Sequence, residues 1–585
     1  MSGVELLVTT ALQETWGTDE NIVFLGEWCK SFDQRDVWNK RKSRTLENHW
    51  KDRTKLKRDH AYLKDLYERV LSALVEELNE IHSVSYGTRY WRIIVGPWLL
   101  TYIPLLWDRW ESMNLALSEN VKLSTVVVND EHRTIPEDLR SSTALFRNHY
   151  WNHQVYHSII KVLSNPQLSI FRVSKSNVES IIISSKVAVS LSRRIFNVID
   201  RCLAVVMRNY RVVFVNSYFY PKSRSRLYIM SHQFPRLYSE FDVNFIYPNS
   251  KSYMRRDCCK FQTHKKFEEF LSHELYNDMP IAYLEGYEGL VSRVKRFPDT
   301  KIILTATAHF GNELFKVWCA GKVVNGSKLV ISEHGGAFSP MFSSFSHDED
   351  IADVKVVWGL EHHDKHRRLP PNKFIGVTPI ISNGEFVTLI GLELPLYNFR
   401  CESAPGSSLI LDDFDQKKLF INGLHNRVYE QLKIRPYPNR GWQLRDRYLD
   451  IFGDRKISKC STIEEDFSNS KIIVCSYPQT TFSEALFTGI PTILLYLEHF
   501  WEVQPEYYNL IKVCKKAKII HTDPETAAEH INSICDNPDV WWSDLETVTA
   551  RNLFFDVCGA VGENPLRVWH KFFNEVLDEP STFRQ

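Results

Sequence analysis

The sequence predicts an α/β protein with two Rossmann-like domains facing a cleft, the first interrupted by a helical insertion. Three observations carry this expectation. Short apolar runs bounded by turn residues recur through the chain, separated by stretches of helical periodicity, which is the pattern of parallel βαβ units. The chain has 585 residues, too many for one hydrophobic core. Residues 471–496, KIIVCSYPQTTFSEALFTGIPTILLY, read as one complete unit of this kind. The expected division is 1–380 for the N-terminal domain, with the insertion at about 50–115, then 400–560 for the second domain and 561–585 for a C-terminal helix and tail.

Composition narrows the function classes. Hydrophobic content of 43% and charged content of 24% are those of a folded soluble protein. A formal net charge of +1 supplies no global field for nucleic acid, which is not expected as a partner. The 11 cysteines form no C-x-x-C pair, and Cys258 and Cys259 are adjacent, so reduced thiols are expected rather than a disulfide framework or a zinc site. The N-terminal residues lack a basic region followed by an apolar one, so no signal peptide is expected and a cytoplasmic location follows, at most at the inner face of a membrane. The most lipid-like run, Ile93 to Trp107, is short for a span and holds Pro97 and Pro104. It reads as part of a buried helical hairpin, with a peripheral membrane face as the alternative.

In chain order, Val4–Val8 and Ile22–Leu25 are short apolar strands. Glu14, in the loop between them, and Glu27, after the second, lie where open α/β sheets bind ligands, so Glu14 is a candidate catalytic carboxylate. Residues 52–82 form a helix, because Leu56, Leu63, Tyr67, Val70, Leu74, Leu78 and Ile81 recur at steps of three, four or seven. Tyr86-Gly87 ends it; Arg89 and Arg92, which follow, read as structural ion-pair partners. Leu123–Asn129 is a strand followed by Asp130. His153 and His157 have helical metal-pair spacing, but no carboxylate lies between them and no metal is assigned. Residues 177–208 read as helical and Tyr210–Phe214 as a strand. Pro221–Lys266, with KSRSR and MRRDCCK, reads as a surface excursion or a basic cradle for an anion.

Lys301–Gly336 is a second complete βαβ unit. Strand Ile302–Leu304 leads to a polar tip with His309, a helix covers Asn312–Ala320, and strand Leu329–Ile331 leads to Ser332-Glu333-His334-Gly335-Gly336. Both histidines therefore lie on one sheet edge. Gly335 and Gly336 lack the side-chain bulk that would hold a ligand away from His334, so all four residues are candidate substrate contacts. An imidazole titrating near 6.5 can accept a proton from an attacking hydroxyl, which makes His334 the first candidate base.

In 471–496 the strand Ile472–Cys475 leads through a polar loop to a helix capped near Thr480 or Thr481 and stopped by Gly489 and Pro491. Hydroxyls and free N–H groups at a helix N-terminus favour a phosphate. Thr480, Thr481 and Ser483 are candidate phosphate contacts, and Glu484, one turn in, can reach a ribose diol. Upstream, Ala404–Ser408 reads as a linker, Leu409–Leu411 as the first strand of the second domain, Gln416–Leu432 as a helix, and Lys433–Pro438 as a strand end carrying Arg435. Trp442 suits either a core or a base-stacking position. Lys516–His521 reads as the last strand, Asp523 as the cap of a helix to about Cys535, and Leu566–Val576 as a terminal helix.

Several of these stretches carry a resemblance. Glu484 to Pro491, EALFTGIP, resembles the E-A-x-x-x-G-x-P segment of GT-B glycosyltransferases, in which the Glu binds the donor ribose and preceding hydroxylated residues face the diphosphate. His334-Gly335, then Val354–Gly359, then Phe374 to Pro379 are similar in order to the CDP-glycerol glycerophosphotransferases, whose His is the base; that family's Pro-Arg-Asn-Asp continuation is absent. TTALQETWG, FLGEWC, RYWRIIVGPWL, SEHGG and YPQTTFSEALFTGIPTI together resemble a family of transferases met in bacterial surface-polysaccharide loci. The resemblance implies a GT-B-like fold with an acceptor-side N-terminal domain and a nucleotide-binding C-terminal one. It also implies Arg435, a basic residue before Pro, as a donor-phosphate contact. The implied activity is transfer of a sugar from a nucleotide-activated donor to a hydroxyl of a surface glycan or glycolipid, with no metal and no further cofactor. Transfer of a polyol phosphate or phospho-sugar, or an inactive scaffold binding glycan or a partner, is the alternative.

Overall fold

A computed structural model describes residues 4–17, 21–119, 121–129, 133–174, 209–235, 241, 245–377, 380, 382 and 384–579. Asp130, the expected helix over 177–208 and Thr378-Pro379 therefore lie wholly or largely outside the described residues. Two sheets were expected; the described residues contain three parallel five-stranded sheets, two of them within 1–380.

The first sheet comprises β1 (Glu5–Val8), β2 (Asn21–Phe24), β3 (Lys42–Thr45), β4 (Leu123–Asn129) and β5 (Leu168–Ser174), in the order β3-β2-β1-β4-β5. Between β3 and β4 the chain inserts two long helices, α1 (Arg53–His82) and α2 (Thr88–Ser118). Asp52 starts α1 by accepting hydrogen bonds from the N–H groups of Thr54 and Lys55, at 2.9 and 3.2 Å. Its predicted stripe from Leu56 to Leu78 is buried. Every residue from Ile93 to Trp107 is buried within α2, so this run offers no face to a membrane. No helix among the described residues is long and apolar enough to cross one. Arg89 pairs with Asp353 at 2.8 Å and Arg92 with Glu68 at 2.6 Å, the structural roles expected of them. On α3 (His149–Leu163), His153 accepts a hydrogen bond from the Val128 N–H at 3.1 Å and contacts the Thr9 hydroxyl at 3.3 Å.

The second sheet holds β6 (Asn209–Val215), β7 (Asp299–Thr305), β8 (Lys328–Ser332), β9 (Val354–Val357) and β10 (His366–Arg368), in the order β10-β9-β8-β7-β6. The helices α4 (Pro221–Met230), α5 (Glu313–Val324) and α6 (His347–Ile351) lie along its course. KSRSR falls within α4. In MRRDCCK, Arg255 pairs with Glu285 at 3.0 Å and Arg256 with Glu80 at 3.1 Å, so both cations are spent within the protein rather than left as a cradle.

The third sheet comprises β11 (Phe386–Ile390), β12 (Leu432–Arg435), β13 (Ser470–Cys475), β14 (Thr492–Leu495) and β15 (Ile520–His521), in the order β12-β11-β13-β14-β15. The order reverses between β11 and β13, and that reversal opens a crevice at the C-terminal strand ends. The helices α7 (Ile410–Asn422), α8 (Ile463–Ser468) and α9 (Thr480–Thr488) belong to this unit. The strand expected at Leu409–Leu411 is instead the start of α7, whose first turn carries Asp412 and Asp413, a charge placement that favours a helix N-terminus. The first strand is the β-branched run FVTLI of β11. Lys516 ends a helix, so the last strand is shorter than expected. The terminal helix α10 (Pro565–Asp578) crosses back to the second sheet. There Trp569 donates to the Pro370 carbonyl at 2.9 Å and Phe573 packs on Phe214 with ring centroids 5.6 Å apart.

Candidate active site

The site is built where the C-terminal end of β8 meets the N-terminal end of α9. Beyond the buried β8 residues, the Glu333 N–H donates to the Val356 carbonyl at 2.9 Å. The Glu333 carboxylate accepts from the Trp358 N–H at 2.7 Å, and burial raises its pKa. This anchor fixes the direction of His334-Gly335-Gly336. A Cβ on Gly335 would lie 1.8 Å from Thr480 Oγ1, so only glycine lets the loop reach the helix. The Ser483 hydroxyl then donates to the Gly336 carbonyl at 2.6 Å. Two strand ends from different sheets thus meet tip to tip, the facing arrangement that the GT-B resemblance implies.

On the helix side, no side chain caps α9 at Gln479, and its C-terminus stops at Gly489 with φ of 81°. Thr481 is turned inward, its hydroxyl 2.6 Å from that of Tyr477. The Ser476 hydroxyl at the end of β13 is fully buried and without a partner among the described residues. The first turn therefore carries uncommitted donors and the positive end of the helix dipole.

On the sheet side, His334 faces Tyr218, with ring centroids 5.7 Å apart. Tyr218 follows β6 with φ of 58°, a left-handed conformation uncommon for an aromatic residue. The Lys373 ammonium lies 5.8 Å from the Tyr218 ring centroid and forms an ion pair with Glu484 Oε1 across the junction. Phe374, next in sequence, stacks on Phe487 of α9 at 4.5 Å. Beneath the loop, His309 is buried with Nε2 3.0 Å from Asp348. Lys355 reaches Asp348 at 3.4 Å and Glu349 at 2.7 Å. Burial works to raise Asp348, but Lys355 and His309 outweigh it and hold the carboxyl far below the usual range. Glu349 is likewise brought down to about 2 against the effect of burial, by His366 and Lys355. His334 is exposed at the surface of the junction, although protein surrounds it closely enough to thin its hydration. That loss of water is the largest influence on it and lowers its pKa, Asp348 pulling the other way and His309 and Lys373 adding to the fall. A lowered pKa keeps the imidazole neutral near pH 7, the state in which it accepts a proton.

A model of LIC12162 family transferases matches residues 5–573. The chain belongs to this transferase family. No curated protein matches it. Among solved structures, TarM is similar over 50% of this chain and 58% of its own, at 12% identity and a TM-score of 0.32. An S. aureus MnaA–UDP structure is similar over 65% of this chain and 100% of its own, at 10% identity and 0.35. MurG of Acinetobacter baumannii is similar over 50% and 76%, at 11% identity and 0.28.

In this transferase the predicted residues His334, Gly335, Gly336, Thr480, Ser483 and Glu484 come together at one junction, with His309 directly beneath it. Arg435 does not join them. Its guanidinium forms an ion pair with Asp466 of α8 and donates to the Thr462 carbonyl at 3.0 Å. Glu14 is exposed in a short turn after β1 and, among the described residues, makes no hydrogen bond or ion pair with the junction. Trp442 is buried in the core, so it is no platform for a base. Tyr218 and Lys373 were missed. The signal for Tyr218 was its place just past the C-terminal end of a recognised strand; Lys373 carried none. Among the described residues, no group of three or more His, Cys, Asp or Glu side chains is placed to hold a metal ion.

Proposed function

We propose that the protein transfers a sugar from a nucleotide-activated donor to a hydroxyl of a surface glycan or glycolipid. The observation that carries this is the meeting of the His334 loop with the uncapped N-terminus of α9 across the Gly335–Thr480 contact. His334 accepts the proton of the acceptor hydroxyl, whose oxygen attacks the anomeric carbon. The bond from that carbon to the donor phosphate breaks, and the nucleotide leaves with the bonding pair. The α9 N–H groups, the Thr480 hydroxyl and the Lys373 ammonium stabilise the charge that develops, in place of a metal ion, while Ser483, whose proton goes to the Gly336 carbonyl, holds the loop against the helix. Glu484 engages Lys373 through Oε1, which leaves Oε2 for a ribose diol. Lys373 therefore takes the role that the sequence suggested for Arg435.

The test is a thermal-shift screen of the full chain against UDP-, GDP-, CDP- and CMP-linked sugars, followed by transfer assays on His334→Ala. One nucleotide class is expected to stabilise wild type and His334→Ala equally, with transfer lost in the variant. Stabilisation by none of them, or transfer retained in His334→Ala, overturns the assignment.

A further inference from the structure

A cavity of about 230 Å³ lies on the seam between the first unit and the third sheet. The loops after β11 and β12 supply Glu393, Arg400, Tyr437 and Arg440; Trp50, Arg53 and Arg147 come from the first unit. It shares no residue with the His334–α9 junction. It approaches that junction through Tyr437, which lies near Tyr477, the partner of Thr481.

The charges in this cavity do not balance. Arg53 is satisfied by Glu502, at 2.6 and 2.8 Å. Glu393 spends its oxygens on the N–H groups of Arg440, Trp442 and Leu444, at 2.7, 2.9 and 3.2 Å. Glu402 lies 3.7 Å from Arg400. Among the described residues, that leaves Arg147 and Arg440 with no carboxylate. Arg147 Nε is buried with no hydrogen-bond partner. Burial first, then repulsion from Arg440 and Arg400, lowers the pKa of the Arg147 guanidinium. Folding has thus gathered Arg147 and Arg440, with no carboxylate of their own among the described residues, beside Arg400, whose charge is met by Glu402 alone, around an open space. An arrangement that costs stability in the free protein is relieved when an anion enters, and planar guanidiniums match carboxylate and phosphate oxygens. The cavity is far larger than one water or a lone phosphate requires.

We propose that Arg147, Arg400 and Arg440 bind the carboxylate or phosphate of an anionic sugar substrate, in a cavity that shares no residue with the His334–α9 junction. The assignment of this subsite to a transferase substrate rests on the proposed glycosyl transfer; the anion binding itself does not. The same oxygen chemistry is offered by an acidic sugar of the acceptor and by a phosphate of the donor, and the test separates them.

The experiment measures thermal shifts of the full chain with glucuronic acid, inorganic phosphate and UDP, for wild type, Arg147→Gln, Arg440→Gln and Lys373→Ala. Glucuronic acid or phosphate is expected to stabilise wild type and Lys373→Ala alike. In either arginine variant the half-saturating concentration rises by at least about tenfold, as for loss of a charged hydrogen bond. UDP stabilisation that survives in Arg147→Gln but falls in Lys373→Ala assigns the cavity to the acceptor. UDP stabilisation lost in Arg147→Gln assigns the bound oxygens to the donor. Because Arg147 carries uncompensated repulsion, ligand-free Arg147→Gln is expected to melt no lower than wild type. The proposal is overturned by anion shifts that persist in both arginine variants, by the absence of any such shift, or by a marked drop in ligand-free melting temperature for Arg147→Gln, the mark of a structural arginine.

Discussion

The third sheet presents one edge, the C-terminal ends of β11, β12 and β13, to both other units, and the two seams it makes differ in kind. Against the second unit the seam is closed: a glycine touches Thr480, Phe374 stacks on Phe487, and Lys373 is paired with Glu484. Against the first unit the seam stays open around a cavity in which Arg147 and Arg440 have no carboxylate partner among the described residues. The difference teaches what each seam can do. A closed seam with matched charges fixes the proposed base and a helix terminus at a set separation, which positioning for chemistry demands. An open seam with unmatched charge recognises a ligand that brings the missing sign.

Substitutions at the closed seam sharpen this contrast. The largest effect is expected at His334. Replacing it with Ala removes the proposed general base and is expected to lower the turnover rate by about 10²–10⁴-fold, measured as kcat with the donor saturating. The active form is neutral, and the folded pKa lies below the ordinary 6.5. Wild-type kcat is thus flat through neutral pH and falls only in acid, below pH 6.5, in a pH–rate profile. A fall beginning above neutrality contradicts the assignment.

A pair of cations gives the next effect. Lys373→Ala is expected to weaken donor binding by about 1.5–3 kcal/mol, the contribution of a charged hydrogen bond. Arg435→Ala is expected to leave donor binding unchanged and to lower folding stability instead, because it strips a largely buried Asp466 of its partner. Calorimetric titration reads the first and denaturant unfolding the second. The smallest effect is expected at the contact itself. Gly335→Ala forces the loop from Thr480 and costs about 1–3 kcal/mol of stability, as overpacking does. Thr480→Gly in the same chain makes room for the new methyl group and recovers much of that loss. An isolated Gly335→Ala that melts like wild type shows the seam to be looser than described.

Local patterns made much of this legible. The helix and strands around Thr480–Thr488, the two histidines on one sheet edge, and the long helix α1 follow from short-range periodicity, capping and glycine placement. The division of residues 1–380 into two sheets does not, since strand pairing depends on contacts distant in sequence and β10 is only three residues long. The first strand of the third sheet was misplaced because Leu409-Ile410-Leu411 and FVTLI are both short apolar runs, and periodicity alone does not separate a strand from a helix start. Within the site, Gly335 was legible as a point of close approach; that it approaches Thr480 was not. Lys373 lies in a loop without pattern, and its meaning arises only from Glu484, more than a hundred positions away. Arg435 looked suited to phosphate because its competitor, Asp466, lies 31 positions further along the chain.

The central claim is that nucleotide-activated donors bind at the junction of β8 and α9. It is tested most directly by calorimetric titration of the full chain with the sugar nucleotide that stabilises it most, for wild type, Lys373→Ala and Arg435→Ala. The account predicts binding weakened about 10- to 150-fold in Lys373→Ala and unchanged in Arg435→Ala. Equal binding in wild type and Lys373→Ala, or loss of binding in Arg435→Ala alone, contradicts it.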